Sequence, residues 1–274
     1  MDKKLQLNKK KYDAIILSSS FNEDFNELKD FIKHLCKKSI EVSSLYKILP
    51  VIVFERIEIK KAKELQEYFK NGYKEIYPLI LINKKSKGFA ACLNYGLLNT
   101  KSKYVFRIDT DDRLEKDRIY KQIYEIRKND LDLCSSYMID QNNKVIKYPT
   151  NKSGLLLALA LGINPIAHPT ICFKKDIFLK YNEKLTKAED LEIWLRMLLA
   201  GEFKFKCLNY PLTRYDTRRS LDKDSQNAKM QIYLRVKFIL KILIIGFPIF
   251  VGILPNILRV IFGNNLFLLF RRNI

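Results

Sequence analysis

Histidine is almost absent from this chain: His34 and His168 are the only two in 274 residues. That scarcity excludes the histidine-rich zinc sites of many metalloproteins. The five cysteines (Cys36, Cys92, Cys134, Cys172, Cys207) are odd in number, widely spaced and form no C-x-x-C pair. They read as buried thiols of a reducing compartment, not as a disulfide framework. The charged stretch 1–11 leads into no apolar core with a small-residue cleavage site, which points to a cytoplasmic protein. Internal repeats and low-complexity blocks are missing. A net charge of +20 is accompanied by no docking motif for nucleic acid and no basic element interleaved with aromatics. The expectation is therefore no nucleic-acid partner, with an anionic membrane surface and a lysine-rich composition spread over the chain as the other two readings of the charge.

What is present is an apolar fraction of 47%, enough for a globular core in one large domain with or without an appendage. Short apolar runs at 12–17, 51–54, 79–82 and 104–108 alternate with helical patterns. The first helix carries Phe25, Leu28, Phe31, Ile32 and Leu35, with Asn22 as its expected N-cap; the second spans about 58–71; the third opens at Gly88 and runs to about 99. Strand and helix alternating at this spacing predict right-handed β-α-β units in a Rossmann-like, mainly parallel sheet flanked by helices.

Downstream, the pattern predicts a helix over 115–128, a hairpin of 131–138 with 145–148, and an apolar helix at 155–161 that is too short to span a bilayer. Two prolines fix the loop 164–170 before a strand at 171–173; a helix opens at 188–190, and strands follow at 203–208 and 212–215. After Asp222 apolar residues dominate, punctuated by Arg235, Lys237, Lys241, Arg259, Arg271 and Arg272. The stretch 238–254 is interrupted by Lys241 and broken by Pro248 and Pro255. That is a poor transmembrane helix and reads as amphipathic helices lying in a membrane interface, with a helical hairpin packed on the domain as the alternative. The expected division is a domain over 1–220 and a C-terminal helical region over 221–274.

The chemistry concentrates where the run 104–108 ends in Asp109, Asp111 and Asp112. Clustered aspartates after a strand form either a turn or a seat for a hard divalent cation. In parallel sheets ligands sit at the carboxyl ends of the strands. Ser20, Glu55 and the acidic cluster all fall at that edge, which favours the cation.

Four stretches in order resemble a known family. They are the first strand's polar loop with Asn22-Glu23, Lys87-Gly88-Phe89-Ala90-Ala91-Cys92-Leu93-Asn94-Tyr95-Gly96-Leu97, Arg107-Ile108-Asp109-Thr110-Asp111-Asp112, and Ala188-Glu189-Asp190-Leu191-Glu192-Ile193-Trp194-Leu195-Arg196-Met197. Together they look like the family 2 glycosyltransferases of GT-A fold. Asn164-Pro165-Ile166-Ala167-His168-Pro169-Thr170 and the pair Arg218-Arg219 are similar to the amylovoran-type subfamily of bacterial capsule and exopolysaccharide synthesis.

The resemblance implies an inverting, metal-dependent transferase. Its donor would be a nucleotide-diphosphate sugar, its acceptor lipid-linked or an oligosaccharide, and its setting the inner face of the cell membrane. By resemblance Asp111 ligates Mg²⁺ or Mn²⁺, and Asp109 contacts the ribose or the metal's own shell. Asp190 is the base, and Glu189 beside it a substrate contact. Asp112 supports the donor sugar or caps the following turn. Ser20, Glu23 and Glu55 hold the nucleotide, Lys87 contacts nucleotide or phosphate, and Arg218, with Arg214 and Arg219, clamps the diphosphate. His168 contacts donor or acceptor, or is a buried hydrogen-bonding residue.

The chain departs from the family where Ser18-Ser19-Ser20 replaces a proline-containing tripeptide and Phe54-Glu55-Arg56 replaces an acidic pair followed by glycine. A D-x-D phosphatase is excluded by Arg113 and by carboxylates on the fourth strand, and a nucleotidyltransferase by the lack of a glycine-rich loop after the first. A non-catalytic sugar-nucleotide or membrane-surface module of the same fold is expected to have lost Asp111 or Asp190; both are present.

Overall fold

Four strands separated by three amphipathic helices open the chain: β1 (Tyr12–Ser20), α1 (Phe25–Glu41), β2 (Ile48–Glu55), α2 (Ile59–Gly72), β3 (Leu79–Asn83), α3 (Phe89–Leu98) and β4 (Ser102–Arg107). The computed structural model describes residues 11–55, 58–72, 77–84, 87–177, 179–200, 203–216, 225–239, 253 and 256–257. Strands β3, β2, β1 and β4 lie side by side and parallel. Both faces of this sheet are covered, so its strands are continuous apolar runs with no polar alternation. Ala14, Ile16 and Ile52 enter one core with α1 and α2; Ile15, Leu17 and Val53 enter the other with α3.

Close seating of α3 on the sheet depends on Gly96. A Cβ there would lie 2.4 Å from Leu17 Cδ1 and 3.0 Å from Val53 Cγ2. Helix α1 is capped by Asp24, not by Asn22 as the sequence suggested: the Asp24 carboxylate accepts the amides of Asn26 and Glu27. Asn22 instead takes a left-handed φ of 63° and donates its own amide to Glu58.

The chain continues as β5 (Arg113–Leu114), α4 (Arg118–Lys128), β6 (Leu133–Asp140), β7 (Val145–Ile146), α5 (Lys152–Ala160), a 3-10 turn (His168–Thr170), β8 (Cys172–Lys174), α6 (Glu189–Leu199), β9 (Phe205–Tyr215) and α7 (Ser225–Ile239). Among the described residues nine strands form one sheet in the order β3-β2-β1-β4-β8-β6-β9-β5, with β7 on β6. The expected parallel pairing holds in the four long ladders β1–β2, β1–β4, β2–β3 and β6–β9, and short antiparallel ladders are added to it. Strand β8 enters antiparallel between β4 and β6, and β5 and β7 also pair antiparallel, so the sheet is mixed. Parallel neighbours need a crossover, which helices supply between the first four strands and again between β6 and β9. The short connection to β7 supplies none.

Two further boundaries differ. Residues 113–114 pair with β9, which delays α4 to Arg118. The two strands expected over 203–215 are one strand, β9, whose register on β6 slips where Tyr137 faces Pro211. Proline has no N–H for the ladder and is tolerated at such an irregularity.

The five cysteines are buried free thiols. Of the C-terminal region, α7 packs on the domain: Leu234 joins the core and Ala228, Gln231 and Arg235 are buried, while Tyr233 and Val236 are exposed. Most of the stretch read as interfacial helices, including 240–252, lies outside the described residues. No helix among the described residues is long and apolar enough to cross a membrane.

Candidate active site

Parallel pairing brings the ends of β1, β2 and β4 to one edge, with Leu17 beside Arg107 and Ser20 beside Phe54. Beyond β4 the chain keeps alternating: Ile108, Thr110 and Asp112 point into the protein, and Asp109 and Asp111 are half-buried. One carboxylate oxygen from each of Asp109, Asp111 and Asp112 lies within 4.8 Å of the others. Asp112 is fully buried. Its Oδ1 accepts the Asp216 amide at 3.1 Å, and its Oδ2 has no hydrogen-bond partner. Burial, and then the charges of Asp109 and Asp111, hold the Asp112 carboxyl well above the usual carboxylate range. A buried oxygen without a partner is costly unless a ligand completes it. Three oxygen donors, one of them orphaned, fit a hard divalent cation such as Mg²⁺ or Mn²⁺.

Arg107 closes the base of this cluster. Its guanidinium is buried, pairs with the Asp109 carboxylate and lies 5.0 Å over the Phe89 ring. A cavity of about 600 Å³ opens here, lined among others by Arg107, Asp109, His168, Glu189, Asp190 and, from α7, Asn227 and Gln231. The first turn of α6 thus faces the space at the end of β4. Ala188 precedes that helix with a left-handed φ of 55° and gives it no side-chain cap. The acids Glu189 and Asp190 occupy the positive end of the helix dipole. The Asp190 carboxylate accepts the Leu191 amide at 2.7 Å on one oxygen and the Asn164 side-chain amide on the other. Burial raises the Asp190 carboxyl above its ordinary value, and these two hydrogen bonds oppose the shift. Glu189 is raised too, by burial and then by the neighbouring Asp190 charge.

His168 Nε2 lies 2.8 Å from the Tyr181 hydroxyl, and burial, then Arg107, pushes its pKa well down. It is a neutral, hydrogen-bonded ring in the cavity wall. Ser20 and Glu23 lie off that cavity: Ser20 Oγ and the Phe21 amide donate to Glu23 Oε2, both at 2.7 Å, and Thr110 Oγ1 donates to Glu23 Oε1 at 2.5 Å. Glu55 accepts the amide of Gly88 at 2.7 Å. That arrangement uses the positive φ of 97° at Gly88, and Lys87 beside it is exposed. Arg214 is committed to Glu115 at 2.8 Å, and Arg218 and Arg219 lie outside the described residues.

The structure therefore gathers Asp109, His168, Glu189 and Asp190 around one cavity, with Asp111 and Asp112 in the adjoining cluster. Ser20, Glu23, Glu55 and Lys87 are not among its lining residues. Sequence reasoning assigned no role to Arg107, Asn164 or Gln231. Arg107 had a signal, being a charged residue in the apolar run 104–108, and Asn164 opens the motif 164–170; Gln231 had none.

A sheet edge with an oxygen-donor cluster, next to a cavity lined by an acid pair on a later helix, can seat a cation and take up a proton in one place. The chain belongs to Glycosyl transferase family 2, which matches residues 16–183. An uncharacterised glycosyltransferase of Methanocaldococcus jannaschii is 25% identical over 226 residues, covering 80% of this chain and 75% of that protein. The O-antigen biosynthesis glycosyltransferase WbnJ of Escherichia coli is 32% identical over 142 residues, 47% of this chain and 55% of that one. An Escherichia coli UDP-Gal:alpha-D-GlcNAc-diphosphoundecaprenol beta-1,3-galactosyltransferase is 28% identical over 43% of this chain and 46% of its own length.

Solved structures share the fold at low identity. S. aureus TarS 1-349 in complex with UDP-GlcNAc superposes with a TM-score of 0.64 at 16% identity, covering 93% of this chain and 75% of that one. The mannosyltransferase PcManGT of Pyrobaculum calidifontis, in complex with GDP-Man and Mn²⁺, gives 0.62 at 12% identity over 97% and 74%.

Proposed function

We propose that this chain is an inverting, metal-dependent glycosyltransferase of the amylovoran type. It moves a sugar from a nucleotide-diphosphate donor to a lipid-linked or oligosaccharide acceptor in bacterial surface polysaccharide synthesis. The observation that carries this reading is the shared cavity: Asp109 from the end of β4 and Asp190 from the start of α6 line the same space. One group suits the leaving diphosphate and the other the attacking hydroxyl.

Asp111 and Asp109 would hold Mg²⁺ or Mn²⁺, with Asp112 as the buried third oxygen donor. When bound, the cation neutralises the charge that develops on the departing diphosphate. Asp190 takes the proton of the acceptor hydroxyl as its oxygen attacks the anomeric carbon. The bond from that carbon to the diphosphate oxygen breaks, its electron pair leaves with the diphosphate, and the configuration inverts. The Asn164 and Leu191 hydrogen bonds aim the carboxylate, and Glu189 contacts substrate beside it. Glu55 and Ser20 belong to the nucleotide side of the edge, with Lys87 and Arg218 as contacts to its phosphates.

Donor and acceptor classes draw support from relatives. TarS has been solved with UDP-GlcNAc, PcManGT with GDP-Man and Mn²⁺, and one relative is a diphosphoundecaprenol-dependent galactosyltransferase. Peripheral contact with an anionic membrane on the cytoplasmic side completes the reading, carried by the basic and apolar C-terminal region 221–274.

Thermal-shift measurements with UDP- and GDP-sugars, each with and without Mn²⁺, test the proposal. Stabilisation by a nucleotide sugar that grows with Mn²⁺ is the expected result. No shift with any nucleotide sugar at saturating Mn²⁺ would contradict it.

A further inference from the structure

Glu23 is nine-tenths buried, and each of its carboxylate oxygens is engaged within the protein. Oε2 accepts Ser20 Oγ and the Phe21 amide, and Oε1 accepts Thr110 Oγ1. A carboxylate so engaged is poorly placed to contact a nucleotide base. Its three partners come from two strand ends. Ser20 is the last residue of β1 and Phe21 the first beyond it, and Thr110 stands between Asp109 and Asp111 in the turn leaving β4. The two strands are neighbours in the sheet, yet their backbone ladder ends at Leu17 beside Arg107. Past that point Ser18 Oγ donates to the Ile108 carbonyl at 2.9 Å, and further out the Glu23 to Thr110 bond ties side chain to side chain.

The loop is held from its other side as well. Lys61 of α2 donates to the Glu23 carbonyl and to Glu58, while Glu58 accepts the Asn22 amide. Thr110 is itself buried, and the alternation around it leaves Asp109 and Asp111 half-buried on either side. Fixing the Thr110 side chain therefore fixes the direction in which both carboxylates leave the turn.

We infer that Glu23 is a positioning residue: through Thr110 it locks the Asp109–Asp111 turn to the β1 loop, so that divalent cation and nucleotide bind as coupled ligands. This rests on the reading of the aspartate cluster as a cation site. The mechanism is linked ordering: with the turn tied to the loop, whichever ligand binds first orders a segment that the other also uses, and such coupling is reciprocal.

The test is calorimetric titration of Mn²⁺ in the absence and presence of saturating UDP, with GDP as the second probe. It compares wild type, Thr110→Val, Thr110→Ser and Glu23→Gln. The ratio of Mn²⁺ Kd without nucleotide to Kd with nucleotide is the readout. The wild-type ratio is expected to fall by about tenfold in Thr110→Val and in Glu23→Gln, and to stay within about twofold in Thr110→Ser, which keeps the hydroxyl. A merely structural role would weaken both ligands and leave the ratio unchanged. Should Thr110→Val fail to fold, the Glu23→Gln and Thr110→Ser pair carries the comparison. Mn²⁺ binding with an undiminished ratio in both Thr110→Val and Glu23→Gln would overturn the brace alone. Absence of Mn²⁺ binding by the wild type would overturn the cation reading and the brace with it.

Discussion

Arg107 and Asp109, two residues apart at the end of β4, form a buried ion pair in the wall of the cavity that Asp190 also lines. The guanidinium is 3% exposed and the carboxylate 35%. Removing the guanidinium leaves the Asp109 carboxylate beside Asp111 and Asp112 without this counterion. Breaking a buried pair from one side costs about 3–5 kcal/mol, and the partial exposure of Asp109 favours the lower end. Arg107→Met is expected to lose about 3 kcal/mol in urea unfolding. Arg107→Lys should recover only part of that, because lysine keeps the charge and lacks the planar fork. An unchanged unfolding midpoint in Arg107→Met would show that the pair contributes nothing.

The Asp190 carboxyl is raised by burial. A base must be deprotonated to work, and a raised pKa means deprotonation is completed at higher pH than for an exposed aspartate. The acidic limb of kcat against pH is therefore expected above the ordinary aspartate range, with activity lost as pH falls through it. Asn164 donates to this carboxylate and opposes the rise, so Asn164→Ala should move the limb further up in pH. A limb at the ordinary aspartate value, unmoved by Asn164→Ala, would assign the base elsewhere.

Gly96 tests the seating of α3. A side chain there meets Leu17 at 2.4 Å and Val53 at 3.0 Å, on two adjacent strands. Gly96→Val should lower stability by about 1–3 kcal/mol through overpacking, read by thermal denaturation. A neutral result would show that the helix shifts freely over the sheet.

The parallel half of the fold was legible in the sequence because its strands are buried on both faces. Runs such as 51–54 have no polar interruption, and the helices between them carry a clear apolar stripe. The second half was harder. Strand β8 is three residues long and antiparallel, and nothing in Cys172-Phe173-Lys174 tells its direction. Strand β9 was divided in two by Pro211, which lies inside it at a register slip. Asn22 drew the cap assignment from Asp24 because both are good N-cap residues two positions apart; the left-handed turn at Asn22 decided between them.

The candidate site followed a similar division. Asp109, Asp111 and Asp190 could be named from residue type and resemblance. That Asp109 and Asp190 share one cavity is a matter of tertiary structure. Glu23, grouped by resemblance with the nucleotide contacts, has its carboxylate turned toward Ser20, Phe21 and Thr110. Gln231 enters the cavity from a helix 225–239 that sequence assigned to a separate C-terminal region.

That helix is part of the packed core through Leu234, which is fully buried. Leu234→Ala should cost about 2–5 kcal/mol of stability by opening a cavity between α7 and the domain. Because Leu234 faces the protein, the same substitution is expected to leave flotation with anionic vesicles unchanged. Reduced flotation of a folded Leu234→Ala protein would place Leu234 at the lipid surface.

The division of labour between Asp111 and Asp190 is tested most directly by transfer and binding measured together on Asp190→Asn and Asp111→Asn. Asp190→Asn is expected to lower sugar transfer by about 100- to 10,000-fold while Mn²⁺-dependent nucleotide binding stays at the wild-type level. Asp111→Asn should lose that Mn²⁺-dependent binding along with transfer. Equal loss of nucleotide binding and transfer in Asp190→Asn, or full transfer by Asp111→Asn at saturating Mn²⁺, would contradict the account.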